Sequence, residues 1–188
     1  MKRPLFIFAV FMFNFMLFTL YVNASADSAM PPVLQREGES LLLNGTGVRT
    51  KLFLKLYVAG LYLQEKNKGA IQIIESDTPM VIRLHIVSSM ITEEKMSKAT
   101  EEGFHKSTRG KIDPIRTRMN QFISVFRAGI EKGDIFDMHY EPGTGVKVYR
   151  NGQRKVTIEG LDFKKALFGI WLSEDPVQED LKTDMLGD

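Results

Sequence analysis

The dipeptide Asn151-Gly152, set between residues 146–149 and 155–158, constrains the fold of this chain more than any other short feature. The commonest two-residue hairpin turn needs positive φ at both central positions, which Asn-Gly supplies at little steric cost. The flanking segments are therefore expected to be neighbouring antiparallel strands. Residues 135–140 form a third candidate strand, bounded by Glu141-Pro142-Gly143, so the C-terminal half carries three strands in succession.

Further upstream, residues 41–43 are expected to form a strand before a Gly45-Thr46-Gly47 turn. The run that follows, Leu-Phe-Leu-Lys-Leu-Tyr-Val-Ala-Gly-Leu-Tyr-Leu over 52–63, reads as one extended segment in which Gly60 marks a bulge or a close backbone approach. Residues 27–38, with Pro31-Pro32, read as a lead-in. A short helical stretch over 70–74 and a strand over 80–87 come next. Thr92 then caps a helix with Glu93 and Glu94 in its first turn, and Met96, Ala99 and Gly103 share one face of it. Helical spacing of Ile115, Met119, Phe122, Ile123, Phe126 and Ile130 predicts a second helix over 114–130, ended by Gly133. A third helix spans 161–172, and a last, solvated one begins near Pro176. Hairpin strands with helices in pairs make an α+β domain on an antiparallel sheet.

Residues 1–26 read as a signal peptide. Lys2 and Arg3 precede an apolar stretch over 5–22, which ends in Ala24-Ser25-Ala26, the small-residue pattern of a cleavage site. The expected location is periplasmic or secreted. The stretch is long for a signal, so an uncleaved anchor is the alternative, and the leader is then the only expected membrane contact. The chain has 25 basic and 23 acidic residues, and two of the basic ones lie in the leader. Residues 27–188 thus carry 23 of each, a balance that gives no support to nucleic-acid binding. With no cysteine, burial alone must hold this single domain together.

Arg49 stands at the mouth of the apolar run. A permanently charged guanidinium there is either a receptor for the anionic end of an apolar ligand or a surface residue paired with a carboxylate. The three histidines, His85, His105 and His139, lack the spacing of a metal site, and no cofactor motif is present. His85 and His139 fall on predicted strands and read as core or sheet-face residues. No Gly-x-Ser-x-Gly elbow occurs, and Gly45-Thr46-Gly47 lacks the rest of a phosphate-binding loop. Asn44-Gly45-Thr46 has the form of a glycosylation acceptor. The Met and Phe residues of the helices read as core or as the lining of a ligand tunnel.

Three blocks, Gly45-Thr46-Gly47-Val48-Arg49, Tyr57-Val58-Ala59-Gly60-Leu61-Tyr62-Leu63 and residues 166–182, resemble the chalcone isomerase-like family. The resemblance implies an open-faced β-sandwich, a large antiparallel sheet with helices packed on one face. It matches the family's catalytic arginine to Arg49. It also implies that the isomerases' threonine is replaced by Tyr57, their tyrosine by Lys95, their asparagine by Glu102 and their late-helix threonine by Ile170. Without those groups, the ordered network that polarises a ketone beside a developing enolate is largely missing. Arg49 with Tyr57 is similar instead to the carboxylate clamp of the family's fatty-acid-binding members.

Three readings follow. An exported, non-catalytic binder of a small apolar acid such as a fatty acid requires Arg49 beside a cavity, with Tyr57, Lys95, Glu102 and Ile170 as further site positions. An isomerase or lyase on an unidentified substrate requires a second polar group facing Arg49. A cell-envelope interaction module requires a filled core and an exposed apolar patch.

Overall fold

The computed structural model describes residues 29–187. The leader lies outside them. Seven strands run in sequence order across one antiparallel sheet: β1 (Val33–Arg36), β2 (Glu39–Lys51), β3 (Leu54–Leu63), β4 (Met80–Ile86), β5 (Ile135–Glu141), β6 (Gly145–Arg150) and β7 (Gln153–Ile158). Five helices accompany them: α1 (Ala70–Glu75), α2 (Glu93–Ser107), α3 (Arg116–Ile123), α4 (Leu161–Leu172) and α5 (Glu179–Leu186). The sheet is a curled meander with the helices packed on it, the expected α+β open-faced sandwich.

Strand alternation decides which face the helices cover. Ala59, Leu84 and Phe136 stand side by side across β3, β4 and β5, and Leu61, Ile82 and Met138 form the next row. All six are buried in the main core. Helix α4 buries nine of its twelve residues, which makes it the inner helix of the layer. Phe104 of α2 meets Phe122 of α3 edge-on at 6.1 Å and Phe163 of α4 at 5.6 Å, tying the helices together. Thr92 accepts from the Lys95 amide at 3.3 Å, the N-cap expected for α2.

The other face of the sheet is sealed by polar pairing as well as by grease. Leu34, Leu41, Tyr62 and Val81 form a small second cluster. Beside it, Arg83 grips Asp137 with two bonds of 2.6 and 3.0 Å, and Arg36 reaches the same carboxylate. Glu37, at the β1–β2 turn, pairs with Lys147 and accepts from the Tyr149 hydroxyl.

Several expectations are corrected. Residues 33–36, read as lead-in, form β1, which is held to the sheet by those ion pairs. The Gly45-Thr46-Gly47 turn is instead the middle of β2. A Cβ on Gly45 would lie 2.2 Å from the Asp184 carbonyl and one on Gly47 2.8 Å from the Leu181 side chain, so these glycines let α5 cross the strand. Helix α5 starts at Glu179 rather than near Pro176, and it is not solvated: Leu181 and Met185 are fully buried. The 52–63 run contains the β2–β3 turn, Leu52-Phe53, before β3 begins. Of the two alternatives expected for Gly60, the structure has the close approach, with the Met30 sulfur 2.8 Å from where its Cβ would be and no register shift at that position. The helix expected over 114–130 is divided into a 3-10 turn (Asp113–Ile115), α3, and a 3-10 segment (Ser124–Ala128) capped by Gly129, not Gly133. Asn44 is buried, donating to the Met185 carbonyl at 3.0 Å and accepting from the Asn67 amide, so the glycosylation motif is inaccessible.

Candidate functional site

A cavity of about 610 Å³ opens between the inner face of the sheet and the helices. Apolar side chains dominate its wall, among them Leu56 and Leu84 from the sheet, Met96 from α2, Phe122 from α3, and Ile170 and Trp171 from α4. The volume lies within the range of small-molecule sites. Some of the helical Met and Phe residues therefore serve both readings: Phe104 and Met119 are core, whereas Met96, Phe122 and Phe126 also face the cavity. The core is not filled.

All five expected site residues line this cavity. Arg49 and Tyr57 are directly opposed on β2 and β3, so their side chains project from the same face. The register slips immediately beyond them, between Arg49 and Thr50. Lys95 lies in the first turn of α2, exposed, with its ammonium 3.0 Å from the Met90 carbonyl. Glu102 is also exposed on α2. Ile170 sits across from Gly103, where an added Cβ would come within 2.8 Å of it. That close approach sets how tightly α2 and α4 pack behind the cavity.

Arg49 does not pair with a carboxylate. Its Nη1 donates to the Thr50 carbonyl at 2.7 Å and to Gln178 Oε1 at 3.1 Å, and among the described residues it forms no ion pair. Gln178 is the positioning group: its Oε1 also accepts from the Thr50 amide at 3.0 Å, and its amide donates to the Val48 carbonyl at 3.2 Å. Nε and Nη2 of Arg49 are left unengaged by described protein atoms.

Tyr57 is buried, and its hydroxyl accepts from Trp171 Nε1 at 3.2 Å. Burial pushes its pKa above the ordinary tyrosine value, with the Trp171 bond and the Arg49 charge acting the other way. The phenol thus stays protonated at neutral pH. Because Trp171 takes an oxygen lone pair, the hydroxyl hydrogen is unclaimed by any described residue. A fixed cation and a neutral donor on neighbouring strands in the wall of an apolar chamber favour an anionic oxygen ligand.

The positions expected from the isomerase comparison supply no polarising network. Ile170 is apolar, and Lys95 and Glu102 are exposed charged groups on α2. Trp171 and Gln178 join the site without having been expected from the sequence. Trp171 carried a faint signal, as the only tryptophan, adjacent to Ile170. Gln178 carried none, since its role depends on the chain returning to β2 130 residues after Val48. Among the described residues no group of His, Asp or Glu side chains is arranged to hold a metal.

A sequence profile of the chalcone isomerase-like family matches residues 22–187. The chain belongs to the chalcone isomerase-like family. Among solved structures it is similar to a fatty-acid binding protein of Arabidopsis thaliana, with a TM-score of 0.61 at 18% identity, over 82% of this chain and 95% of that one. At that identity the likeness establishes the fold. A search of curated proteins found no match.

Proposed function

We propose that this member of the family is an exported, non-catalytic binder of a small apolar acid such as a fatty acid. The observation that carries the reading is the pairing of Arg49 with Tyr57 on the wall of an otherwise apolar cavity, without a protein carboxylate on the guanidinium. A ligand carboxylate balances that charge. It accepts from Nε or Nη2 of Arg49 and from the Tyr57 hydroxyl, while the acyl chain runs along Leu56, Met96 and Ile170. Gln178 and Trp171 orient the two donors from behind. The similar plant structure is that of a fatty-acid binding protein, which supports the ligand class. Export rests on the leader sequence.

Native mass spectrometry of the chain from residue 27 onward tests this directly. The expected result is a bound or titratable C12–C18 acid, weakened about 10–100-fold by Arg49→Ala, as fits loss of a charge-assisted hydrogen bond. A clean apo mass that takes up no added fatty acid would end the reading.

A further inference from the structure

The turn joining β2 to β3 carries two bulky apolar residues at positive φ, which no other hairpin among the described residues does. Two-residue turns with both central φ values positive favour Asn and Gly. Asn151-Gly152 follows this, with φ of 51° and 78°, whereas Glu37-Gly38 follows it only at Gly38, with 89°, its polar Glu37 standing at 50°. At the β2–β3 turn the same backbone is built from Leu52 and Phe53, with φ of 49° and 67°. Bulky residues are disfavoured there, and nothing in the fold compensates: Leu52 is 82% exposed and Phe53 fully so. Strain and exposed apolar surface coincide at one point, the rim of the cavity.

The surroundings of this tip bear on what covers it. Of the seven exposed large hydrophobics among the described residues, Leu52, Leu54 and Met90 line the cavity, and a fourth, Phe53, stands at the turn between the first two without lining it. Lys51 and Lys55 flank the tip, and Lys98 faces the mouth from α2. None of the three forms an ion pair among the described residues. Lys106, also at the mouth, is bonded to Asp175 at 2.7 Å, and Glu102 is the one acid lining it. Exposed apolar side chains beside three exposed lysines without ion pairs match the layered chemistry of an anionic bilayer, with acyl chains beneath phosphate headgroups.

We propose that the Leu52-Phe53 hairpin tip is a membrane-docking element. It inserts into an anionic bilayer, the lysines bind headgroups, and the cavity mouth faces the membrane. Vesicle docking stands on the tip alone. Passage of an acid from bilayer to cavity rests in addition on the carrier reading above.

The test is sedimentation with vesicles of phosphatidylcholine, with or without phosphatidylglycerol, at low and high salt. The protein used begins at residue 27, which retains every strand, helix and core cluster of the described fold. The parent protein is expected to pellet with phosphatidylglycerol vesicles in a salt-sensitive manner. Phe53→Gly relieves the backbone, so it is expected to fold at least as stably, to take up palmitate in solution as the parent does, and to lose about tenfold in vesicle binding. Phe53→Trp is expected to keep that binding. Undiminished pelleting of Phe53→Gly overturns the proposal. So does a parent protein that ignores vesicles but is dimeric on sizing and becomes monomeric in Phe53→Gly, because the tip then covers a second copy. Vesicle binding without palmitate uptake by either protein supports docking while removing the carrier reading.

Discussion

Lys164 and His139 are both buried ionisable side chains, and their surroundings treat them in opposite ways. The Lys164 ammonium donates to the carbonyls of Ile73, Ile74 and Ser76, each at 2.8 Å, closing the C-terminal end of α1 with Tyr140 and Phe168 rings nearby. Burial pulls its pKa down to about 8, which still leaves it charged at neutral pH. His139 has neither ring nitrogen bonded to any described residue. It faces Lys147 of β6, with Glu37, Glu141 and Arg36 around it, and burial is the largest cause of a pKa below the ordinary histidine value. The folded state therefore disfavours the proton that the unfolded chain accepts near pH 6.5. Stability is full above about pH 6.5 and falls as pH drops from there toward the lowered folded value. The carboxylates with lowered pKa values, Glu37, Asp134, Glu141 and Asp162, add their own losses at lower pH. His139→Leu is expected to keep stability at pH 7.5 within about 1 kcal/mol of the parent, since it removes an unpaired polar group. It is also expected to lose less stability between pH 7.5 and 5. Urea unfolding at the two pH values checks this, and equal losses in both proteins would rule out His139 as the titrating group.

At the scale of elements, α5 and β2 depend on one another. Gly45 has the Asp184 carbonyl 2.2 Å and the Met185 carbonyl 2.8 Å from the position of a Cβ, and both are backbone atoms that cannot swing away. Gly45→Ala is thus expected to push α5 off the strand and to cost about 1–3 kcal/mol, the usual range for overpacking. Gln178 immediately precedes α5 and holds Arg49, so the same substitution is expected to weaken acid binding although residue 45 does not line the cavity. Thermal unfolding and a palmitate titration of the variant check both effects; unchanged stability would mean that α5 is loosely seated. The same dependence explains where the sequence misled. Gly-x-Gly is a turn signal locally, and its actual cause is a helix about 140 residues downstream. The four-residue β1 lay in a polar, proline-bearing stretch and owes its place to Arg36 and Glu37 reaching β5 and β6. The 114–130 helix is divided although Ile115, Met119, Phe122 and Phe126 keep helical spacing and are all buried, so the pattern reported the buried face correctly but not the 3-10 segments at either end of α3. By contrast, Asn151-Gly152, the Thr92 cap and the 161–172 helix were legible because each is set by local chemistry.

For the whole molecule, an open-faced sheet closed by helices leaves a chamber where a fully packed domain would have core. Arg49 and Tyr57 were legible as a pair only through the family resemblance, and strand register then places them opposite one another. Their shared cavity was not, because it is enclosed by α2, α3 and α4, whose packing on the sheet no local pattern reports. Such a chamber forgoes packing that an occupant can restore, and a ligand that binds only the folded state stabilises it by mass action. Palmitate at one hundred times its dissociation constant is expected to add about 2.7 kcal/mol. For a domain of this size that raises the unfolding midpoint by roughly 5–10 °C. Under the proposed carrier function the polar end decides specificity, so methyl palmitate, with the same chain and no charge, is expected to give a much smaller shift. Arg49→Ala is expected to bring the palmitate response down to that of the ester. Differential scanning calorimetry of both proteins with both ligands separates the contributions. If acid and ester stabilise the parent equally, the chamber is recognising chain alone, and the Arg49–Tyr57 pair has some other purpose.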